Sequence, residues 1–213
     1  MNRLILASRS PRRRELLAQA GYAFEVMPAA ETAECGICSR ESPEQMVARL
    51  ARQKAADVVA RVTSGLVLGC DTVVECDGQI LGKPADALHA GRMLRLLRGR
   101  QHRVLTGVCL WRKPGPGPLV RVAATRLRLD PLDDDQIQRY VASGEWEGKA
   151  GGFGYQDRLG WVHVLEGSES NVVGLPLELL AQMLEEFRFA PRTLRTPLAP
   201  REESRHAERD AYE

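Results

Sequence analysis

The chain has 213 residues, and its 30 lysines and arginines nearly balance its 28 aspartates and glutamates, which leaves a formal net charge of +2. This balance gives no reason to expect bulk binding to nucleic acid or to a membrane surface, so any basic site must be local. The length is typical of one α/β domain, and an odd count of five cysteines argues against a disulfide framework. The sequence has no apolar run long enough for a membrane span or a signal-peptide core, which predicts a cytoplasmic protein.

The first predicted elements are a buried strand over residues 3–7 and a helix that begins at Pro11. Ser10 is expected at the N-cap of this helix, ahead of proline at the first helical position. Arginines occupy positions 12–14, in the first turn, where the helix already presents a partial positive charge. The pattern predicts an anion site, and backbone N–H, hydroxyl and guanidinium donors together suit a polyphosphate. The alternative is a solvated basic end of a helix.

Residues 24–27 predict a short strand, and the polar loop after it contains Cys35 and Cys38 in a C-x-x-C spacing. Because no second pair of cysteines or histidines follows at the spacing of a zinc site, we interpret these two as reduced thiols. Residues 42–45 form a capping-box pattern that predicts the start of a long helix. Lys54 falls on the apolar stripe of this helix, where it either extends past the helix edge into solvent or faces a cleft that holds phosphate.

An apolar run over residues 66–70 predicts a central strand with Asp71 and Thr72 at its carboxyl end. In open α/β sheets, ligands bind at that edge. Residues 73–81 predict a hairpin with a two-residue turn, which returns Lys83 toward the same edge. The sequence therefore predicts that a carboxylate and several basic side chains converge there.

The second half of the chain predicts the remaining strands and helices of a mixed sheet. We expect a helix between residues 86 and 99, antiparallel strands at 102–111 and 119–129, a helix from residue 133, a strand at 160–165 and a helix at 176–187. The loop over residues 145–157 contains four glycines, which indicates close approach of backbone to a ligand or, alternatively, a flexible surface turn. From residue 191 onward the chain is charged and lacks an apolar stripe, which predicts a disordered tail after a domain of residues 1–190.

Seven motifs occur in order along the chain. They are Ser8-x-Ser10-Pro11-Arg12-Arg13, Lys54-Ala55, Cys70-Asp71-Thr72, Leu81-Gly82-Lys83-Pro84, Thr106-Gly107-Val108, Lys149-Ala150-Gly151-Gly152-Phe153-Gly154-Tyr155-Gln156 and Asn171-Val172-Val173-Gly174-Leu175-Pro176. Together they resemble the Maf family of nucleoside triphosphate pyrophosphatases. The resemblance extends over about the first 190 residues, and the order of the motifs makes coincidence implausible.

The resemblance implies an α/β fold in which a mixed central sheet is flanked by helices and two lobes surround a cleft, as in inosine triphosphatases. It implies an enzyme that hydrolyses nucleoside triphosphates to the monophosphate and pyrophosphate, in the branch of the family that acts on dTTP and UTP. Such an enzyme has a house-cleaning role in the nucleotide pool. The resemblance also implies a homodimer.

The resemblance also implies roles for single residues. Asp71 is implied as the catalytic carboxylate that accepts the proton of the attacking water, and Arg12, Thr72 and Gln156 as the residues that select the nucleotide base. A glutamine amide offers both a donor and an acceptor, as a pyrimidine edge requires. The cationic and hydroxyl lining of the phosphate site is expected to come from Ser8, Arg12, Arg13, Lys54 and Lys83.

A divalent metal cation, Mg²⁺ or Mn²⁺, is the expected cofactor. Mg²⁺ prefers an octahedral shell with one or two carboxylates and substrate oxygens, which Asp71 and one glutamate would supply. Family members carry this glutamate in the loop after the second strand, where both Glu31 and Glu34 are candidates. The distance to the following helix favours Glu34.

Two other functions are compatible with these residues. The first is a pyrophosphatase for 7-methyl-GTP or another modified purine nucleotide. The second is a regulator of cell division that binds nucleotides without turnover. A phosphate-binding protein gains nothing from carboxylates placed against its ligand unless a metal intervenes, so Asp71 and the glutamate favour an enzyme.

Overall fold

The structure is a computed structural model that describes residues 3–30, 41–157 and 160–191. Its strands are β1 (Leu4–Leu6), β2 (Phe24–Val26), β3 (Gly65–Cys76), β4 (Gln79–Leu81), β5 (Gln101–Lys113), β6 (Pro118–Leu129) and β7 (Val162–Glu166). Its helices are α1 (Pro11–Gln19), α2 (Pro43–Arg61), α3 (Ala87–Leu97), α4 (Asp134–Ala142), α5 (Glu169–Val173) and α6 (Leu177–Glu186).

The strands form one seven-stranded sheet in the order β2-β1-β3-β5-β6-β7, with β4 paired to β3. Strands β2, β1 and β3 are parallel to one another, whereas β3, β5, β6 and β7 pair in antiparallel fashion. The predicted mixed α/β sheet is therefore confirmed, including the antiparallel pairing of β5 with β6. The hairpin of β3 and β4 is confirmed as well, and its turn residues Asp77 and Gly78 have positive φ angles of 50° and 78°.

Helix α2 lies directly against one face of the sheet because β3 and β5 carry glycine where the helix crosses them. A Cβ atom at Gly69 would lie 2.3 Å from the Ala51 carbonyl oxygen, and one at Gly107 would lie 2.1 Å from the Val47 carbonyl oxygen. The predicted capping box at the start of the helix is present. This close approach buries Lys54 against β3.

The opposite face of the sheet carries two separate hydrophobic clusters. The first lobe packs α1 and α6 against β1 and the first half of β3, and the second lobe packs α3 and α4 against β4 and the second half of β3. Thr72 of β3 and Thr106 of β5 lie between the two clusters, with their hydroxyl oxygens 3.0 Å apart. A polar seam thus separates the lobes, and the predicted cleft lies beside it.

The sequence predicts that the central strand ends just before Asp71, and this prediction is wrong. Asp71 and Thr72 lie within β3, because β5 pairs with β3 without interruption over residues 65–75. On the other side of β3, β1 pairs only as far as Leu68 and β4 begins to pair at Val74. Between these two positions, the edge of β3 has no strand partner in the described part of the chain, and Asp71 lies in this gap.

Smaller differences concern the ends of elements. Helix α1 begins at Pro11 with Ser10 at its N-cap, as predicted, but the Ser10 hydroxyl group forms no capping hydrogen bond. Instead the Ser10 backbone N–H donates to Ser8 Oγ at 3.2 Å. None of the helices in the described ranges combines the length and the apolar character that a membrane crossing needs. Four residues for which the sequence makes predictions lie outside the described residues: Glu31, Glu34, Cys35 and Cys38. The predicted tail also lies outside them from residue 192 onward.

Candidate active site

A cavity of about 580 Å³ opens beside the unpartnered edge of β3. Its walls are the turn between β1 and α1, one face of α2, the middle of β3, the turn after β4 and the loop after α4. Every predicted site residue within the described ranges lines this cavity: Ser8, Arg12, Arg13, Lys54, Asp71, Thr72, Lys83 and Gln156. The fold therefore brings motifs from both ends of the sequence to one place.

The cavity has a basic wall and an apolar wall. Among the described residues, six basic side chains and one carboxylate line it: Arg9, Arg12, Arg13, Lys54, Lys83, Lys149 and Asp71. The second lobe supplies apolar lining from Val74, Val104, Phe153 and Val172. Such a pocket suits a ligand that joins a polyanion to a flat, weakly polar ring. Arg9 and Lys149 are lining residues to which the sequence analysis assigned no role.

Asp71 and Lys54 form a buried ion pair in the cavity wall, with Lys54 Nζ 2.6 Å from Asp71 Oδ1. Strand alternation places Asp71 on the face of the sheet that α2 covers, and Lys54 approaches from that face. The other carboxylate oxygen, Oδ2, has no hydrogen-bond partner among the residues that the structure describes. The pair therefore holds the carboxylate in a fixed orientation and leaves one oxygen for a ligand or a water molecule.

Arg13 is buried, and its guanidinium group donates four hydrogen bonds within the protein. Nε donates to the Gly174 carbonyl oxygen at 2.7 Å, and Nη2 donates to Thr72 Oγ1 at 2.9 Å. Nη1 donates to Ser8 Oγ at 3.2 Å and to the Cys70 carbonyl oxygen at 3.0 Å. Arg13 thus joins the turn before α1 to β3 and to the end of α5. The sequence pattern predicts a phosphate contact here and does not show this bracing role.

Arg12 lies at the border between the cavity and the loop after α4. Its side chain is half-buried, and Nη2 donates to the Gly148 carbonyl oxygen at 2.8 Å. Burial and the neighbouring Arg13 guanidinium group both lower the pKa of Arg12. An anion in the cavity would offset both effects, because it favours the charged form of the guanidinium group.

The loop over residues 148–157 carries Gln156, whose side chain is exposed and lines the cavity. The Gly151 backbone N–H donates to the Gly82 carbonyl oxygen at 2.9 Å. This bond connects the loop to the turn that carries Lys83, which also lines the cavity with an exposed side chain. The base-selection and phosphate-binding residues that the sequence predicts are therefore linked through one loop.

The described residues fit a divalent metal ion that takes most of its ligands from the phosphate groups of a bound nucleotide and from water. Among them, Asp71 is the one carboxylate in the cavity wall, and no group of three or more His, Cys, Asp or Glu side chains able to hold a metal occurs. Mg²⁺ commonly keeps phosphate oxygens and water as most of its ligands and needs only one or two protein carboxylates. The Asp71 carboxylate group meets that requirement, while Glu31 and Glu34 lie outside the described residues.

The chain is similar to known proteins over most of its length. The family model for Maf-like proteins matches residues 3–187. A dTTP/UTP pyrophosphatase of Rhodopirellula baltica is 56% identical over 195 residues, which cover 91% of this chain and 86% of the relative. A dTTP/UTP pyrophosphatase of Pelotomaculum thermopropionicum is 45% identical over 192 residues, which cover 89% of this chain and 98% of the relative. A HAM1 protein from Coxiella burnetii has the same fold, with a TM-score of 0.50 at 17% identity over 87% of this chain and 100% of that chain. The chain belongs to the Maf family.

Proposed function

We propose that the protein is a nucleoside triphosphate pyrophosphatase that hydrolyses dTTP and UTP to the nucleoside monophosphate and pyrophosphate. The observation that carries the proposal is a single cavity in which one carboxylate, Asp71, lies among basic side chains and beside an apolar wall. Two relatives named dTTP/UTP pyrophosphatase, each at least 45% identical to this chain, support the same activity. A homodimer in the cytoplasm stays a prediction from the sequence.

Asp71 is the group that activates water in this proposal. Water adds to one of the two phosphorus atoms joined by the oxygen that bridges the α- and β-phosphates, and one of its protons passes to Asp71 Oδ2. The bond from that phosphorus to the bridging oxygen breaks, which separates the nucleoside monophosphate from pyrophosphate. Lys54 holds Oδ1 at 2.6 Å and thereby fixes which oxygen faces the substrate. Positioning of this kind lowers the barrier because the base already lies in the orientation that the proton transfer needs.

The basic wall stabilises the charge that develops on the phosphate oxygens. Arg12 and Lys83 line the cavity from opposite lobes, and Ser8 adds a hydroxyl group. Arg13 acts differently, because most of its donors already bond to the protein and hold Ser8 and Thr72 in place. We therefore propose that Arg13 holds the phosphate site in its conformation and also contributes positive charge to it.

We propose Mg²⁺ or Mn²⁺ as the cofactor, held by Asp71 and by Glu34 or Glu31 together with the phosphate oxygens of the substrate. When bound, such an ion neutralises phosphate charge and polarises the phosphoryl oxygens. It also explains why a carboxylate stands in a pocket for a polyanion. The residues of the basic wall then hold and orient the rest of the triphosphate.

The apolar wall and Gln156 form the base end of the proposed site. Phe153 and Val172 offer surface against which a flat ring packs, while the Gln156 amide offers one donor and one acceptor to the ring edge. Uracil and thymine present a complementary acceptor and donor. This complementarity supports a pyrimidine nucleotide as the substrate.

Gln156→Ala is expected to lower kcat/KM for UTP and dTTP by about five- to a hundredfold and to leave a poor purine substrate little changed. The reason is that an unpaired base edge costs on the order of 1–3 kcal/mol once it is buried. Gln138→Ala is the matched control, because Gln138 is exposed on α4 and does not line the cavity. Steady-state rates with UTP, dTTP, CTP and GTP measure the effect, and an even loss across these nucleotides would show that Gln156 does not select the base.

Pyrophosphate release from a panel of nucleoside triphosphates tests the proposed function as a whole. The highest kcat/KM is expected with UTP and dTTP. A preference for 7-methyl-GTP would replace the pyrimidine assignment with the modified-purine alternative. Tight nucleotide binding without release of pyrophosphate would instead support a non-catalytic regulator.

A further inference from the structure

The loop over residues 148–157 contains a buried ion pair that a tyrosine of α4 joins by a hydrogen bond, and one member of the pair, Lys149, also lines the cavity. Lys149 Nζ lies 2.5 Å from Asp157 Oδ1 and 2.7 Å from Asp157 Oδ2. Both side chains are only 10% exposed. The Tyr140 hydroxyl group of α4 donates to Asp157 Oδ2 at 2.6 Å. Burial and this hydrogen bond raise the pKa of Tyr140, so the hydroxyl group remains protonated and acts as the donor.

The backbone of the loop is shaped to admit this ion pair. A Cβ atom at Gly154 would lie 2.6 Å from both Asp157 carboxylate oxygens and 2.7 Å from Lys149 Nζ. A side chain at position 154 would therefore require the charged ends of Lys149 and Asp157 to shift. Glycine at this position leaves room for the ion pair.

The same loop holds three groups of the proposed substrate site. Gln156 immediately precedes Asp157 in the chain, so the ion pair fixes the backbone from which the amide projects. The Gly148 carbonyl oxygen, next to Lys149, accepts the hydrogen bond from Arg12. The Gly151 N–H donates to the carbonyl oxygen of Gly82, beside Lys83. A shift of the loop would therefore displace the amide and both cations together.

We propose that Lys149, Asp157 and Tyr140 form a latch that holds the loop over residues 148–157 in the conformation that presents Gln156 and Arg12 to the nucleotide, and that these three are positioning residues for base selection. The inference rests on the proposed function and adds a determinant of specificity besides Gln156 itself. A buried ion pair is a costly way to gain stability, because both charges lose their water, whereas it favours one geometry strongly. Hydrogen-bond discrimination between bases requires such a fixed geometry.

Three variants open the latch in different ways. Asp157→Asn removes the charge partner of Lys149, and Tyr140→Phe removes a single hydrogen bond and keeps the ion pair. Gly154→Ala changes no charged residue and adds a methyl group that crowds the charged ends of Lys149 and Asp157. Glu145→Gln is the matched control, because Glu145 is an exposed partner of Lys149 at 3.3 Å, and its loss leaves the contact with Asp157 intact.

The first measurement is the ratio of kcat/KM for UTP to kcat/KM for GTP, taken well below each variant's unfolding midpoint. The latch predicts that this ratio falls by at least about fivefold in Asp157→Asn and Gly154→Ala, falls less in Tyr140→Phe and is unchanged in Glu145→Gln. If the variants only lower the unfolding midpoint, or lose activity evenly on both nucleotides, the ion pair is structural and the inference is overturned. Because Tyr140→Phe is the mildest change, it keeps the test decisive if Asp157→Asn fails to fold.

Amide hydrogen exchange separates failure of the latch from failure of the proposed function. A wild-type protein without a preference for UTP overturns the proposed function. The latch is then judged by exchange of the Gly151 amide, which is expected to be about tenfold faster or more in Asp157→Asn and unchanged in Glu145→Gln. Equal exchange in wild type and Asp157→Asn overturns the latch, whatever the substrate of the enzyme.

Discussion

Asp71→Asn is expected to lower kcat for UTP and dTTP by at least about a hundredfold, because it removes the group proposed to accept a proton from water and to bind the metal. Asparagine has the shape of aspartate, and its amide oxygen still accepts a hydrogen bond from Lys54. The protein should therefore remain folded. The buried Lys54 loses the negative charge of Asp71 beside it, which is expected to lower the free energy of unfolding by about 1–3 kcal/mol. Single-turnover rates with UTP and a denaturant titration measure the two effects separately.

Asp134→Asn is the matched control for this experiment. Asp134 also accepts hydrogen bonds from basic side chains, Arg95 and Arg98, but it is exposed and does not line the cavity. Its loss should leave kcat unchanged. A near-normal kcat in Asp71→Asn, or an equal loss in both variants, would contradict the assignment of Asp71.

Gly107→Ala is expected to lower the free energy of unfolding by about 3 kcal/mol or more, which is at or above the upper end of the usual cost of overpacking a core. The added Cβ would lie 2.1 Å from the Val47 carbonyl oxygen and 2.4 Å from the Val47 carbonyl carbon. Both are backbone atoms of α2, so no side-chain rotation relieves the clash and the helix itself must move. Because α2 also carries Lys54, we expect kcat to fall as well. Equilibrium unfolding in guanidinium chloride measures the loss of stability.

Gly82→Ala is the control for the change of glycine to alanine. Gly82 has no heavy atom within 4 Å of an added Cβ, and its φ angle is not positive. The free energy of unfolding of the Gly82→Ala variant should therefore stay close to that of the wild-type protein. Equal stability of the Gly107 and Gly82 variants would show that α2 does not pack on the sheet as described.

Local patterns in the sequence predict eight of the residues that line the cavity, including Asp71 and Gln156. Proline at the start of α1, the turn before Lys83 and the glycine-rich loop before Gln156 are each encoded within a few neighbouring residues. The capping box of α2 is local too. It sets where the helix begins and therefore which of its side chains, Lys54 among them, face β3. Because these patterns also set the ends of the elements, the mixed sheet was predictable in outline.

Pairing between distant residues was not predictable from one sequence. Asp71 was expected at a strand end because the apolar run stops there, whereas β3 continues through it on hydrogen bonds to β5. The bracing role of Arg13 depends on carbonyl groups of Cys70 and Gly174, which no pattern near Arg13 indicates. The contact of Lys149 with Asp157 likewise appears only when the loop folds back on itself.

Identification of the products formed from UTP shows whether the enzyme cleaves the triphosphate between its α- and β-phosphates. The protein is incubated with UTP and Mg²⁺, and the nucleotide and phosphate products are separated and quantified. We expect UMP and pyrophosphate in equal amounts, with neither UDP nor inorganic phosphate as an initial product, and at least about a hundredfold slower product formation by Asp71→Asn. Formation of UDP and inorganic phosphate, or binding of UTP without any hydrolysis, would contradict it.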